Sequence, residues 1–368
     1  MRVAYDYQIF TSQKFGGVSR YFYEVANHLA GSQQEKLVCL INSPVYITGY
    51  LRHANEALRI GGVLVSGWPL TSRLYLGINR LMSPLGFRRW RPDIVHETYY
   101  SRKSVAPTGS KVVLTVYDMI HELYPEYFSA RDRTSEYKKI AVERADHIIC
   151  ISENTQNDLI RILGVAREKT TVVRLGFTLT QTSQADSPSR DRPYILYVGS
   201  RSGYKNFEGL LLAFASDPKL RNNYDLVAFG GGAFKPQELE MIRRLHLPLT
   251  QVRQLSGEDG VLAALYGRAA MFVYPSLYEG FGIPPLEAMS FNCPVACSNT
   301  SSIPEVVGNA AIQFDPLDTG SMINALVRLS SDSVLRAELI ERGRSRVLEF
   351  SWEDCAKQTL DVYRALLR

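Results

Sequence analysis

Short apolar runs alternate with segments of helical period along the whole chain. Strands covered on both faces read as unbroken apolar runs, and such runs spaced by helices are the pattern of parallel sheets wrapped by helices. In the first half, runs at 2–6, 36–41, 93–96, 111–116, 146–151 and 170–174 predict strands, with helices at 18–30 and 153–163 between them. Ser152 stands where its hydroxyl can accept from first-turn amides, so it is the expected N-cap of the second helix. The apolar period then stops: residues 179–192 are polar, contain a proline and predict a linker. It restarts at Tyr194, with strands expected at 194–199, 224–229, 250–254, 271–274, 294–297 and 310–313, and helices at 206–217, 258–269 and 283–290.

At 368 residues the chain exceeds what one core serves, so two doubly wound α/β domains are expected, 1–178 and 193–351. The last helix, about 352–368, has apolar residues at helical spacing and is expected to cross back onto the first domain. With 45% apolar and 21% charged residues, a disordered or fibrous chain is excluded. Five cysteines, odd in number and mostly inside apolar runs, do not form a disulfide framework. The chain starts on the strand-like Arg2-Val3-Ala4-Tyr5 with no secretion signal, and no apolar run approaches the roughly 20 residues of a spanning helix. A cytoplasmic, reduced protein is expected.

Charge refines the picture. Residues 1–178 carry 23 Lys and Arg against 16 Asp and Glu, leaving 19 against 21 for the rest. A basic half suits nucleic acid, anionic lipid or a phosphorylated substrate. Without zinc-finger spacing, an RRM signature or a glycine clamp, nucleic acid is not the expected partner. Residues 70–92 hold Arg73, Arg80, Arg88, Arg89 and Arg91 among leucines and aromatics, with no acidic residue. Two readings stand: a helix whose apolar stripe packs on its own sheet, or a basic amphipathic segment against anionic lipid or a lipid-linked diphosphate.

Three segments carry candidate chemistry. In the first, Glu279-Gly-Phe-Gly-Ile-Pro-Pro-Leu-Glu287 follows a strand and opens a helix. Its prolines suit a first turn, Gly280 and Gly282 allow close backbone approach, and the amides around Phe281, Gly282 and Ile283 suit a diphosphate. Glu279 and Glu287 are natural ligands for vicinal sugar hydroxyls. In the second, Arg201 and Lys205 follow the strand that reopens the pattern, where open α/β sheets bind ligands, and could clamp phosphate oxygens. The third, Gly16-Gly17, ends the loop after the first strand and could present amides to phosphate, or be only a turn.

Together these segments, with Pro294-Val295-Ala296-Cys297-Ser298-Asn299 and Ser302-Ile303-Pro304-Glu305-Val306, resemble glycosyltransferase family 4, over nearly the whole chain. The resemblance implies the GT-B fold, two Rossmann-like domains facing across a cleft, and retaining transfer without metal or cofactor. It implies that Arg201 and Lys205 bind the donor diphosphate, Glu279 the sugar and Glu287 the ribose, with backbone from Arg253 to Leu255 meeting the base. A nucleotide sugar, first of all UDP-glucose, is the expected donor, and a saccharide or lipid-linked saccharide the acceptor. The chain departs from the family at Tyr117, where many members have histidine; Asp118 and then His121 are the nearest groups expected to approach acceptor or donor sugar. His121 reads equally well as a loop histidine bonded to local backbone. A glycoside hydrolase and a noncatalytic nucleotide-sugar sensor are the rival readings; nucleotide binding separates the first, donor turnover the second.

Overall fold

A computed structural model describes residues 1–32, 37–67, 71–178, 192–201 and 203–368. The linker expected at 179–192 lies outside the described residues except for Arg192, and so does Ser202. The chain divides into two compact units, the first of Met1–Glu122, Ser129–Gly176 and Ser351–Arg368, the second of Leu123–Phe128 and Phe177–Phe350.

The strands of the first unit are β1 (Arg2–Tyr5), β2 (Val38–Ile41), β3 (Val45–Tyr46), β4 (Arg59–Ile60), β5 (Val63–Leu64), β6 (Ile94–Glu97), β7 (Lys111–Val116), β8 (His147–Cys150) and β9 (Thr170–Val172). Seven of them form one parallel sheet in the order β4-β2-β1-β6-β7-β8-β9, and β3 pairs with β5 separately. The second unit has β10 (Tyr194–Val198), β11 (Asp225–Phe229), β12 (Val252–Leu255), β13 (Met271–Tyr274), β14 (Val295–Ser298) and β15 (Ile312–Phe314), all parallel, in the order β12-β11-β10-β13-β14-β15. Central strands such as Ile94–Glu97, Asp225–Phe229 and Met271–Tyr274 are buried along their whole length, as parallel strands sandwiched by helices must be.

The helix Glu153–Leu163 starts as its sequence dictates: the Ser152 hydroxyl accepts from the Thr155 amide at 3.0 Å, and Gly164 closes it in the left-handed conformation. The terminal helix Trp352–Leu366 lies in the first unit, where the Tyr363 hydroxyl meets His96 Nδ1 on β6 at 2.6 Å. All five cysteines are buried free thiols, and burial pushes those of Cys39, Cys150 and Cys355 up to about 12.

The helix Ser72–Trp90 meets the reading in which its apolar stripe packs on its own sheet only in part: Phe87 and Trp90 pack against Ala4, Leu40 and Val95, whereas several of its leucines do not. Its buried face carries Asn79, Ser83 and Phe87, while Leu74, Leu81 and Leu85 are 61%, 77% and 64% exposed. The physical reason lies in the polar anchors. Asn79 Oδ1 accepts from the Val45 amide at 2.7 Å and its Nδ2 donates to Thr11 Oγ1 at 2.7 Å, and Asn42 Nδ2 donates to the Ser83 carbonyl at 2.9 Å. The Asn79 bonds hold that polar position inward, and Phe87 packs with Ala4, Leu40 and Val95, which leaves Leu74, Leu81 and Leu85 on the outer face.

Candidate functional site

In the second unit the chain runs from β10 to β11 on one side and later to β13 on the other, so strand order reverses between β10 and β13. Loops leaving such a pair diverge and open a crevice at the carboxyl ends. Here the loops after β10 and β13 are tied together. The Leu277 amide donates to the Tyr204 carbonyl at 2.7 Å, and Lys205 Nζ donates to both oxygens of Glu279, at 2.6 and 2.9 Å. The two residues that sequence reasoning singled out, 74 apart, thus form one charge-assisted pair.

Glu279 is held from below by the loop after β14. Its amide donates to Ser301 Oγ at 2.9 Å, and Ser302 Oγ reaches the carbonyls of Glu279 and Phe281 at 2.9 and 2.8 Å. Tyr274, at the end of β13, hydrogen-bonds the same carboxylate; burial and then that negative charge raise its phenol well above the usual value, so it stays a donor. Glu287 is half-buried on the helix Ile283–Ser290 and accepts from Tyr266 Oη at 3.1 Å. Burial, then the Glu287 charge, raise the Tyr266 phenol in the same way.

That helix has no side-chain cap. Gly282 precedes it at φ 107°, a conformation other residues rarely adopt. Pro284 and Pro285 contribute no N–H, so donors at this end narrow to the backbone of Phe281, Gly282 and Ile283. Phe281 itself is buried, its ring edge-on to Phe350 at 5.7 Å, which leaves its backbone as its polar offering.

Arg201 is placed differently from expectation. Its guanidinium is buried and already committed: Nε donates to Glu238 Oε1 at 2.8 Å, Nη1 to the Gly230 carbonyl at 2.7 Å, and Nη2 to the carbonyls of Gly232 and Ala233 at 2.9 and 3.1 Å. A side chain spending its donors this way stiffens the loop after β11 instead of presenting an open phosphate clamp. In that loop Gly231 sits at φ 69°, and a Cβ there would come within 2.8 Å of Arg201 Nη1. The Arg253 side chain lies 3.9 Å from Asp225, the first residue of β11, which leaves its backbone as the part expected to meet the base. Leu255 lies at the carboxyl end of the sheet, its carbonyl accepting from the Gly230 amide at 2.9 Å.

The remaining candidates belong to the first unit. Tyr117 is a core residue whose hydroxyl donates to the Thr98 carbonyl at 2.9 Å. Asp118 Oδ1 accepts from the Ile120 amide at 3.1 Å and lies 3.8 Å from the fully buried Lys138 ammonium, which donates to the Asp118 carbonyl at 2.8 Å and to Glu122 Oε2 at 2.7 Å. His121 Nε2 lies 3.8 Å from Asp132 Oδ2. Gly16 is extended at φ 173°, and Gly17 opens the helix Gly17–Gly31, where Gln13 Oε1 accepts from the Ser19 amide at 3.1 Å and so takes one first-turn donor. Among the described residues no three His, Cys, Asp or Glu side chains gather as a metal-binding group.

Sequence reasoning gave no site role to Tyr274, Tyr266, Ser301 and Glu238, and met Ser302 only inside the Ser302–Val306 segment of the family resemblance. The tyrosines lie in apolar runs; bonds to Glu279 and Glu287 mark them and the serines, and the bond to Arg201 marks Glu238.

The fold has solved counterparts. Sucrose-phosphate synthase from Thermosynechococcus elongatus matches with a TM-score of 0.75 at 19% identity, over 100% of this chain and 98% of that one. Anabaena HepE in complex with UDP-glucose matches with a TM-score of 0.73 at 18% identity, over 99% and 100%. The two-unit architecture with both parallel sheets is thus the GT-B fold. The family model described as Glycosyltransferase Family 4 matches residues 15–181, and that described as Glycosyl transferases group 1 matches residues 180–346. The chain belongs to this family, the group 1 (family 4) glycosyltransferases. A full-length relative, O-antigen chain mannosyltransferase B of Escherichia coli, is 28% identical over 95% of this chain and 96% of its own length.

Proposed function

We propose that the chain is a retaining, metal-independent hexosyltransferase, which moves a hexose from a nucleoside-diphosphate sugar to a hydroxyl of a saccharide or lipid-linked acceptor in glycan biosynthesis. The observation that carries this is the Lys205–Glu279 pair at the strand-order reversal, beside the uncapped helix start at Gly282. The Lys205 ammonium, held at this place by Glu279, supplies positive charge to a phosphate oxygen, joined by the backbone N–H groups of Phe281, Gly282 and Ile283. Glu279 keeps lone pairs for sugar hydroxyls, and Glu287, oriented by Tyr266, is suited to a ribose. Arg201 acts one step removed, by fixing the glycine loop next to Leu255, whose backbone is the candidate contact for the base.

The chemistry is the departure of a diphosphate from an anomeric carbon. Negative charge grows on the leaving oxygen, and preorganised donors aimed there lower the barrier. The acceptor hydroxyl adds to the face the diphosphate leaves, and its proton passes to a diphosphate oxygen; Asp118 and His121 are candidate positioning groups on the first unit.

The donor sugar has two candidates. UDP-glucose is bound by the HepE counterpart, whereas the full-length relative is a mannosyltransferase, which favours a mannosyl donor. Exposed Leu74, Leu81 and Leu85 beside Arg73, Arg80 and Arg88 on one helix support peripheral contact of 70–91 with a membrane surface carrying a lipid-linked acceptor. Incubation with UDP-glucose, GDP-mannose and their epimers, with chelator and a glycan acceptor, tests the reading. Chelator-resistant release of nucleoside diphosphate, with the anomeric configuration kept in the product, is expected. An inverted product, or activity that appears only on adding metal, refutes it.

A further inference from the structure

The first unit reverses strand order as well, between β1 and β6, because the chain leaves β1 for β2 on one side and returns to β6 on the other. A cavity of about 800 Å³ lies where the segments after these two strands emerge, lined by Tyr7 and Gln8 following β1, by Tyr100, Arg102 and Lys103 following β6, and by Arg73 and Arg80 from the helix Ser72–Trp90. None of its lining residues is acidic. Neither Arg73, Arg80, Arg102 nor Lys103 makes an ion pair with a carboxylate of the described residues, although carboxylates elsewhere on this unit are paired, as Glu97 is with Arg144. Solvated surface arginines account for one or two uncompensated cations. Four converging on one concavity, at the place where open α/β sheets bind ligands, are complementary to a compact polyanion.

We propose that this cavity holds a phosphate or diphosphate group carried by the acceptor. Two guanidinium forks match phosphate oxygens in bidentate fashion, and a cavity of this size accommodates a diphosphate with the first sugar attached. The proposal rests on the transferase reading above, in which the first unit receives the acceptor, and names the acceptor's class: a saccharide ending in a phosphate ester, soluble or borne on a lipid.

Calorimetric titration of the full chain with inorganic pyrophosphate tests it, using wild type, Arg80→Gln with Arg102→Gln, the charge-keeping Arg80→Lys with Arg102→Lys, and Lys205→Ala. Both arginine positions substituted, Arg80 and Arg102, are exposed and line the cavity, and matching thermal midpoints verify the fold. Wild type is expected to show a binding component that the glutamine pair weakens at least tenfold, the lysine pair largely restores, and Lys205→Ala leaves intact. Coincident isotherms for wild type and the glutamine pair overturn the proposal. Phosphatidylcholine vesicles with and without phosphatidic acid identify the source. Arginine-dependent capture that pyrophosphate competes away indicates a membrane-borne phosphate, and pyrophosphate binding without capture a soluble one; both sustain the proposal. Capture that pyrophosphate does not compete indicates diffuse surface charge and overturns it. Nucleotide binding at wild-type affinity in Lys205→Ala would refute the donor reading alone, leaving this titration unaffected.

Discussion

His96 and Tyr363, 267 residues apart, meet in the first unit through a 2.6 Å hydrogen bond, with the other imidazole nitrogen 2.8 Å from Thr115 Oγ1. The bond fastens the last helix to β6 and satisfies both nitrogens of a fully buried ring. Tyr363→Phe keeps the packing and strands one nitrogen, so a loss of about 1–3 kcal/mol in urea denaturation is expected. An unchanged midpoint would show that the helix is held by apolar contacts alone.

Burial lowers the His96 imidazole to about 3, so the folded protein resists its protonation while the unfolded chain takes up a proton near 6.5. The stability this neutral ring contributes is present above pH 6.5 and is lost as pH falls toward the folded value. Asp6 opposes it. Burial, then the nearby Glu97, raise its carboxyl to about 6, so its share of stability is complete below 3.8 and disappears as pH rises through 6. Between pH 7 and 4.5 the two largely offset. Replacing His96 by Gln removes one arm, and the stability of the variant relative to wild type should grow by about 2–3 kcal/mol over that span. A constant difference would mean that the ring is already solvated in the folded state.

Arg201 and Glu238 are a buried pair, and removing one partner leaves the other charge uncompensated. Glu238→Ala should destabilise by about 3–5 kcal/mol, and Glu238→Gln, which keeps a hydrogen-bond acceptor, by less. Because the same guanidinium holds Gly230 and Gly232, nucleotide affinity should fall in Glu238→Gln even where the fold persists. Intact affinity in a folded Glu238→Gln would separate the glycine loop from the nucleotide.

Ser302 positions Glu279 without touching substrate. Ser302→Ala removes the one hydroxyl donor shared between the Glu279 and Phe281 carbonyls and should lower kcat for transfer roughly tenfold while leaving the KM for donor within a few-fold. Equal loss in kcat and donor affinity would point to collapse of the loop instead.

Elements with unbroken apolar runs or sharp punctuation were legible: the strand expected at 111–116 is Lys111–Val116, and the helix expected at 283–290 is Ile283–Ser290. The doubly wound α/β class followed from that alternation, and GT-B from the resemblance to glycosyltransferase family 4. The two-residue strands β3, β4 and β5 have no period to read, because pairing with distant backbone alone defines them. The loops that carry Lys205 and Glu279 were legible because strand ends, glycines and prolines mark them. The fate of Arg201 was not, since its partner Glu238 lies 37 residues away, on the helix Pro236–Arg244. The helix over 72–90 misled because leucine was read as inward-facing, whereas the inward face is set by Asn79, which bonds the backbone of Val45, and by Phe87, which packs with Ala4, Leu40 and Val95.

Equilibrium binding of the nucleoside diphosphate product to wild type, Lys205→Ala and Glu279→Gln tests the central claim most directly. Lys205→Ala should weaken binding by about 10- to 100-fold, the worth of one charge-assisted contact. Glu279→Gln frees the ammonium from its carboxylate and should bind the nucleotide as tightly as wild type or more so, while transfer of the sugar collapses. Wild-type affinity in Lys205→Ala would contradict the account.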